Sequence, residues 1–372
     1  MQPVPPSRMP YVPGLTSLRG VAAAFVVIFH GAAIWLPEVA RHTKLFTFAY
    51  VWVDLFFLLS GFVLGQTHGD DFAHFSRDTT RRFFQKRFAR IMPMHLAVLA
   101  ALVVFRLAAR GPLGDFAPWT RLVYPHAPNW GELARTVFLV HAWGFESRGI
   151  WNLPSSSISV EWAVYLGFTL AAWALRRSAA PARWVVVVGG LGAIVLLSVT
   201  HGSIDLAFDG TGLLRGIPEF LVGLSLSYLV KGNAMARLAT QCGRAGVHTA
   251  VLLVIGVCLH FGRFDAFIVW LFVPLLLGAY RGAPAVNAFW SLRPVHWFGE
   301  VSYSVYLLHV PAYAVARALL SPTGMSGLMR SAVCFGVIAV TVALAGLTYR
   351  FIESPARRWL QPARSPRQGA AS

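Results

Sequence analysis

Residues 15–36 read LTSLRGVAAAFVVIFHGAAIWL, an apolar stretch that contains one arginine, Arg19, and one histidine, His30. A helix rises about 1.5 Å per residue, so about 20 apolar residues cross the ~30 Å hydrocarbon core of a bilayer. The stretch is longer than the apolar part of a cleavable signal peptide and lacks a small-residue cleavage site. It therefore predicts a helix that stays in the membrane.

The composition of the whole chain indicates the same environment. Of its 372 residues, 56% are hydrophobic and only 13% are charged, whereas about 25% of residues are charged in soluble proteins. The net charge of +17 would favour a nucleic-acid partner in a soluble protein. Here the basic residues cluster in short loops between apolar runs, as the positive-inside rule describes. We therefore predict a multi-pass protein whose partner is the lipid bilayer, with no nucleic acid.

Further apolar stretches of about 20 residues follow along the chain, and each predicts a membrane-spanning helix. Together they predict an all-α fold, a polytopic transmembrane helical bundle of about ten spans. The segment 133–145 is apolar but short, and we interpret it as re-entrant or interfacial. The predicted spans are 15–36, 45–66, 91–109, 157–175, 184–200, 210–230, 247–262, 264–280, 300–319 and 331–351.

The basic loops orient this bundle in the membrane. With the N-terminus inside, about 21 of the 32 basic residues fall on the cytoplasmic side. Both termini are then cytoplasmic, and the longest loop, at about 110–156, faces outward. The chain divides into an N-terminal tail at 1–14, a transmembrane domain at 15–351 and a C-terminal tail at 352–372.

Ionisable side chains inside the spans are the first candidates for function, because at membrane depth they cost several kcal/mol unless they are paired or hydrated. The three cysteines, by contrast, match no metal or disulfide spacing, so we expect no metal site. The candidates within or beside the spans are Arg19, His30, Asp54, Arg87, Arg90, Glu161, Arg215, Glu219, Tyr306 and His309.

Arg19 and His30 are 11 residues apart, which corresponds to about 16 Å of helical rise and almost three full turns. Both side chains therefore lie on one face of the first helix. A donor whose phosphates bind Arg19 could extend a thin arm as long as pantetheine to His30. The alternative is that Arg19 snorkels to the headgroups and His30 bonds another helix.

Asp54 is surrounded by apolar residues and therefore needs a partner. We expect it to neutralise Arg19 or His30, or to orient the imidazole of His30. Arg87 and Arg90 are three residues apart and share a helix face, where paired guanidiniums suit phosphate. The alternative for this pair is ordinary cytoplasmic loop charge.

Three further candidates come from later spans. Glu161 lies at the outer start of the fourth predicted span, where the helix macrodipole alone would favour an acid. Tyr306 and His309 are three residues apart near the middle of the ninth, before Pro311, which should kink that helix. His309 either lines a cavity or bonds across helices.

Taken together, these segments resemble an integral-membrane family often called acyltransferase 3, which includes bacterial sugar O-acetylases. The resemblance covers about 12–360, and one departure is that Ser156 and Val164 stand where the family usually carries aromatic residues. The matching motifs, in chain order, are LTSLRGVAA at 15–23 followed by His30, VDLFFLLSGF at 53–62, RFAR at 87–90 before Pro93, SVE at 159–161, RGIPEF at 215–220, SYSVYLLH at 302–309 and FIE at 351–353.

The resemblance implies a bacterial inner-membrane enzyme without a fused extracytoplasmic hydrolase-like domain. It would use acyl-CoA, with acetyl-CoA as the expected co-substrate and no tightly bound cofactor. It would acylate a hydroxyl of a glycan, a lipid-linked sugar or a small molecule.

On this hypothesis Arg19, Arg87 and Arg90 hold the donor phosphates, and His30 is the general base or the transient acyl carrier. Asp54 orients or tunes His30, and Glu161 binds the acceptor from the outer side. The substrate cavity is lined by Tyr306, His309, Arg215 and Glu219. Two alternatives stay open: a non-enzymatic transporter or flippase that uses the buried charges as a substrate or proton path, and an acyl-CoA sensor without turnover.

Overall fold

The regular elements of the described residues are helices. The computed structural model describes residues 11–73, 76–110, 129–145, 151–207 and 210–361. No strand occurs in these ranges, which confirms the all-α prediction. Residues 111–128 and 146–150 of the predicted outer loop, and most residues of the two predicted tails, lie outside the described residues.

The helices are numbered here in chain order over the described residues. A 3₁₀ turn at Ala49–Val51 leads into α3, and a π-helical turn at Tyr349–Glu353 joins α14 to α15. The α-helices are α1 (Pro13–Trp35), α2 (Pro37–His42), α3 (Trp52–His68), α4 (Arg77–Arg110), α5 (Trp130–Val137), α6 (Ser155–Arg177), α7 (Ala180–His201), α8 (Thr211–Leu229), α9 (Asn233–Cys242), α10 (Ala245–Phe261), α11 (Asp265–Tyr280), α12 (Pro284–Trp290), α13 (Arg293–Leu320), α14 (Gly327–Thr348) and α15 (Ser354–Leu360).

Each predicted span coincides with a helix, but fewer than ten of these helices have the length and composition of a membrane span. Six qualify among the described residues, or up to eight if the bent pairs α8–α9 and α11–α12 each count as one span. The two pairs bend by 112° and 99°. Helix α10 has only 17 residues, and α13 carries Ser302, Tyr306 and His309 within its apolar stretch. The count of about ten spans is therefore not confirmed.

The connections at the two ends of the bundle contact one another as the predicted topology requires. At one end, the Asp70 carboxylate that follows α3 accepts from Arg176 of α6 at 3.2 Å and from Lys231, after α8, at 2.9 Å. At the other end, Asp265 of α11 accepts from Tyr50 at 3.1 Å and from Ser198 of α7 at 2.6 Å. Loops predicted on the same side of the membrane thus meet in space.

Two helix pairs form the centre of the bundle, α3 with α8 and α1 with α13. Both contacts depend on glycine, because small residues let helix backbones approach closely. A Cβ atom at Gly61 of α3 would overlap the carbonyl oxygen of Phe220, and one at Gly223 of α8 would overlap that of Leu58. Gly20 makes the corresponding close approach between α1 and α13.

The buried fraction of each helix shows how close it lies to the centre of the bundle. The apolar window of Ala49–Phe72, which contains α3, is 72% buried inside the protein, against 22% for α7 and 17% for Gly327–Leu360. Side chains such as Val188 and Val199 of α7 are exposed, and in a bilayer lipid covers them. The functional centre is therefore expected around α3 and its neighbours.

The apolar segment 133–145 packs into the protein instead of spanning it. Its first residues belong to the short helix α5, and Leu139, His141 and Ala142 then turn into the interior and are buried. The ring of His141 lies 3.1 Å from the Ser155 hydroxyl. Burial, with a smaller contribution from His95, lowers the pKa of His141 to about 4, so its ring is neutral.

Candidate active site

A cavity of about 380 Å³ opens among α1, α3, α4, α6 and α13. It combines an apolar wall with several hydroxyls and four charged side chains, as ligand sites commonly do. The sequence-predicted residues Arg19, Arg87, Arg90, Glu161 and Tyr306 all line it. Its polar lining consists of Tyr11, Thr16, Arg19, Ser60, Gln66, Thr67, Arg87, Arg90, Ser157, Glu161, Tyr165, Ser302, Tyr303 and Tyr306.

Arg19 reaches the cavity across the close contact between α1 and α13. Its Nε donates to the Ser302 hydroxyl at 3.1 Å, and its Nη2 donates to the Gly299 carbonyl at 2.8 Å. These two bonds fix the guanidinium beside the cavity, so the alternative of a side chain that snorkels freely to the headgroups does not describe it. Ser302 belongs to the SYSVYLLH motif at 302–309, but the sequence did not predict its contact with Arg19.

Arg90 is held by the carboxylate of Glu353, which the sequence indicated only as part of the FIE motif at 351–353. Its Nη1 forms an ion pair with Glu353, which is 1% exposed and lies in the π-helical turn. The other carboxylate oxygen of Glu353 accepts from the Ser304 hydroxyl at 2.8 Å. The Arg90 guanidinium also lies 5.4 Å from the ring centre of Tyr303. Glu353 therefore orients Arg90 and offsets its charge.

Arg87 is the least satisfied of the three arginines. Its guanidinium lies 5.8 Å from the ring centres of Phe83 and of Tyr165. Its Nε is buried and has no hydrogen-bond partner among the described residues. A buried donor without a partner is costly, so this atom is suited to a ligand anion.

Glu161 lines the same cavity as the three arginines. Its Oε1 accepts from the Tyr165 hydroxyl at 2.5 Å and from Ser60 at 3.3 Å. Glu161 is six residues beyond the first residue of α6, outside the first turn where the macrodipole acts most strongly. The cavity thus holds a carboxylate opposite its three cations.

His30 and His309 form a pair beside this cavity. The His309 Nε2 lies 3.1 Å from the His30 Nδ1. Tyr306 connects the pair to the cavity, because it lines the cavity while its ring centre lies 5.6 Å from that of His309. The Tyr306 hydroxyl is 2.7 Å from that of Ser157. The two histidines are not among the lining residues themselves.

Asp54 does not contact His30 or Arg19 but forms an ion pair with Arg215, which corrects the partner expected from the sequence. The Arg215 Nε donates to Asp54 Oδ1 at 2.5 Å, and its Nη2 donates to Oδ2 at 2.6 Å. Asp54 is 0% and Arg215 3% exposed. The pair bridges α3 and α8, where the close helix contact brings the two side chains together.

Glu219 lies beside this ion pair, one turn after Arg215 on α8, and is 1% exposed. Its carboxyl group lies next to that of Asp54 and interacts with it. Neither Arg215 nor Glu219 lines the cavity, contrary to expectation. Residue spacing within α8 could not show that this face turns towards α3.

The cavity can accommodate a ligand that carries both phosphate and a hydrogen-bonding arm. Its guanidiniums favour anions, and its hydroxyls can donate to or accept from amides. In the described part of the chain, no group of three or more His, Cys, Asp or Glu side chains is placed to hold a metal ion.

Comparison with known proteins identifies relatives along nearly the whole chain. The acyltransferase MdmB of Streptomyces mycarofaciens is 26% identical, over 95% of this chain and 94% of its own length. The peptidoglycan O-acetyltransferase OatA of Listeria monocytogenes is 21% identical, and the O-acetyltransferase OatA of Staphylococcus aureus 22%. The chain spans 56% and 57% of the length of these two proteins, respectively, and both alignments cover 94% of the chain.

No solved structure matches the chain significantly. The family profile described as an acyltransferase domain, that of acyltransferase 3, matches residues 12–350. This range includes α1 with Arg19 and His30 and extends to the π-helical turn after α14. The chain therefore belongs to the acyltransferase 3 family of membrane acyltransferases.

Proposed function

We propose that the protein is an inner-membrane O-acyltransferase that moves an acyl group, preferably acetyl, from cytoplasmic acyl-CoA to a hydroxyl of a glycan or lipid-linked saccharide. One observation carries the proposal: α1 places Arg19 in the arginine-lined cavity and His30 beside that cavity, on the same helix face. The separation along the helix is about 16 Å, a distance that a pantetheine arm spans.

The three arginines are proposed to bind the donor phosphates. Arg19 and Arg90 are held by Ser302 and Glu353, so their guanidiniums are already ordered before a ligand arrives. Preorganisation reduces the entropy lost on binding. Arg87 adds a buried donor without a protein partner among the described residues. The pantetheine arm would then run past Glu161 and Tyr306 towards His30.

His30 is proposed to act on the thioester in one of two ways. As a general base, it takes the proton of the acceptor hydroxyl while the oxygen attacks the thioester carbonyl. As a carrier, its nitrogen attacks first, so that an acyl–nitrogen bond forms and the carbon–sulfur bond breaks. The acceptor oxygen then takes the acyl group. In both cases thioester and alcohol become ester and thiol.

The relatives support a saccharide as acceptor without identifying it. The OatA protein of Listeria monocytogenes is named a peptidoglycan O-acetyltransferase, whereas MdmB, which matches over nearly its full length, is named only an acyltransferase. A glycan hydroxyl presented at the outer surface would receive the acyl group from the His30 end of the path.

The test uses purified protein in proteoliposomes with acetyl-CoA labelled in its acetyl group. We expect labelled ester on added glycan fragments, and loss of that product in the His30→Ala and Arg19→Ala proteins. The Arg81→Ala protein, changed at an exposed residue of α4 outside the cavity, is the matched control. Binding of acetyl-CoA without turnover would overturn the proposal in favour of a sensor, and no interaction at all in favour of a transporter.

A further inference from the structure

The half-buried His30 and the buried His309, beside the cavity, each contact a main-chain carbonyl group. The His309 Nδ1 lies 2.6 Å from the carbonyl oxygen of Tyr306. The His30 Nδ1 lies 3.0 Å from the carbonyl oxygen of Val26 and 3.1 Å from the His309 Nε2. These three contacts involve three of the four ring nitrogens.

A carbonyl oxygen can only accept a hydrogen bond, so the nitrogen next to it must carry the proton. His309 is therefore protonated at Nδ1, and its Nε2 presents a lone pair when the ring is neutral. His30 is likewise protonated at Nδ1, from which it donates to the Val26 carbonyl and to the His309 Nε2. This arrangement leaves the His30 Nε2 with the free lone pair.

The opposite assignment is unfavourable at both carbonyl groups. If His30 carried its proton on Nε2, its Nδ1 lone pair would face the Val26 oxygen, and His309 would have to donate from its own Nε2. A neutral His309 would then turn a second lone pair towards the Tyr306 oxygen. A doubly protonated His309 would avoid that repulsion, but it would bury a positive charge at a side chain that is 0% exposed, which is costly.

We propose that His309 is the positioning residue that keeps His30 in the Nδ1–H tautomer and thereby makes the His30 Nε2 the reacting atom. This inference rests on the proposed function of His30. It assigns to a histidine on α13 the orienting role that a carboxylate often has.

The assignment keeps the reaction balanced on either route. When the His30 Nε2 takes the acceptor proton, the Nδ1–H bond to His309 stabilises the imidazolium, and Nε2 then returns that proton to the sulfur of CoA. When Nε2 instead forms the acyl–nitrogen bond, Nδ1 keeps its proton and its hydrogen bond to the His309 Nε2, and the departing thiolate balances the positive charge of the acyl-imidazolium. Transfer of the acyl group to the alcohol restores neutral His30, and the alcohol proton goes to the thiolate.

The kinetic test compares His309→Leu with His309→Gln in the proteoliposome assay. Leucine removes the acceptor, and we expect kcat to fall about 10–100-fold, as for other orienting partners, with the KM for acetyl-CoA unchanged. Glutamine can place a carbonyl oxygen near the former Nε2, so it should restore most of the lost kcat. His248→Leu is the matched control, because His248 is also buried and bonded to another ring, that of Trp290, outside the site.

A spectroscopic test does not depend on turnover. In protein labelled with ¹⁵N-histidine, the His30 signals are identified by their loss in the His30→Gln protein. We expect a protonated Nδ1 and an unprotonated Nε2 in the unsubstituted protein. The reverse pattern overturns the inference, as does unchanged kcat in His309→Leu or a glutamine variant as slow as the leucine one. If the unsubstituted protein transfers no acetyl group, the proposed function fails, and the spectrum still decides the tautomer.

Discussion

Arg87 shows most directly how the cavity would bind a donor, because its buried Nε has no partner among the described residues. A hydrogen bond to a charged group contributes about 1.5–3 kcal/mol, which corresponds to about 10–100-fold in affinity. We expect Arg87→Ala to raise the KM for acetyl-CoA by about that factor with a smaller effect on kcat. Steady-state kinetics with Arg81→Ala as the control measures this, and an unchanged KM would contradict it.

The buried pair Asp54–Arg215 is expected to serve the fold. Breaking a buried ion pair by removing one partner costs about 3–5 kcal/mol, whereas replacing both partners by apolar residues is often neutral. We expect Asp54→Asn to lower the melting temperature of the detergent-solubilised protein strongly. The double change Asp54→Leu with Arg215→Met should recover it. A folded double variant without acyl transfer would instead assign the pair to catalysis.

For individual residues, the sequence could predict which side chains share one helix. It could not predict which side chains of two different helices are in contact. Arg19 and His30 are related by the helical period alone, and the structure keeps them on α1. Their partners Ser302 and His309 are 283 and 279 residues away. The contacts therefore depend on which helices pack together. Asp54 was assigned to the wrong partner for the same reason.

The close contact between α3 and α8 fixes the relative positions of these two helices at the centre of the bundle. Since a Cβ atom at Gly61 would overlap the backbone of α8, the helices would have to separate to admit one. We expect Gly61→Val to lose folded, membrane-inserted protein, measured by size-exclusion chromatography in detergent. Gly256→Ala on α10, where nothing lies within 4 Å of an added Cβ, is the control. Normal folding of Gly61→Val would show that the contact is dispensable.

The positions of the helices were predictable, because a hydrophobic run is a local feature of the sequence. The bends that interrupt two of the predicted spans were not predictable. The bends between α8 and α9 and between α11 and α12 fall at Lys231 and Arg281, in loops that the basic residues predict to be cytoplasmic. Hydropathy therefore located each end correctly and gave no sign of the short helix that follows it. Such bends arise from contacts between helices. A hydropathy average over neighbouring residues carries no information about those contacts.

For the whole molecule, the predicted orientation in the membrane is directly testable. The structure groups the loops into two ends, and the basic residues assign one end to the cytoplasm. We expect a fluorescent protein fused to the C-terminus to be bright and alkaline phosphatase fused there to be inactive. Phosphatase inserted within 111–128 should be active. An active C-terminal phosphatase fusion would reverse the assignment and place Arg19 on the outer side.

The ion pair between Arg90 and Glu353 has a consequence for how the protein is made. Its partners are 263 residues apart in the chain, and ribosomes add about 5–20 residues per second. Arg90 is therefore in place for roughly 13–50 seconds before Glu353 has been synthesised. During that interval the arginine lacks the carboxylate that pairs with it. The cavity with its paired Arg90 is completed only when the last helices insert, so a partly inserted chain would not yet present the proposed donor site.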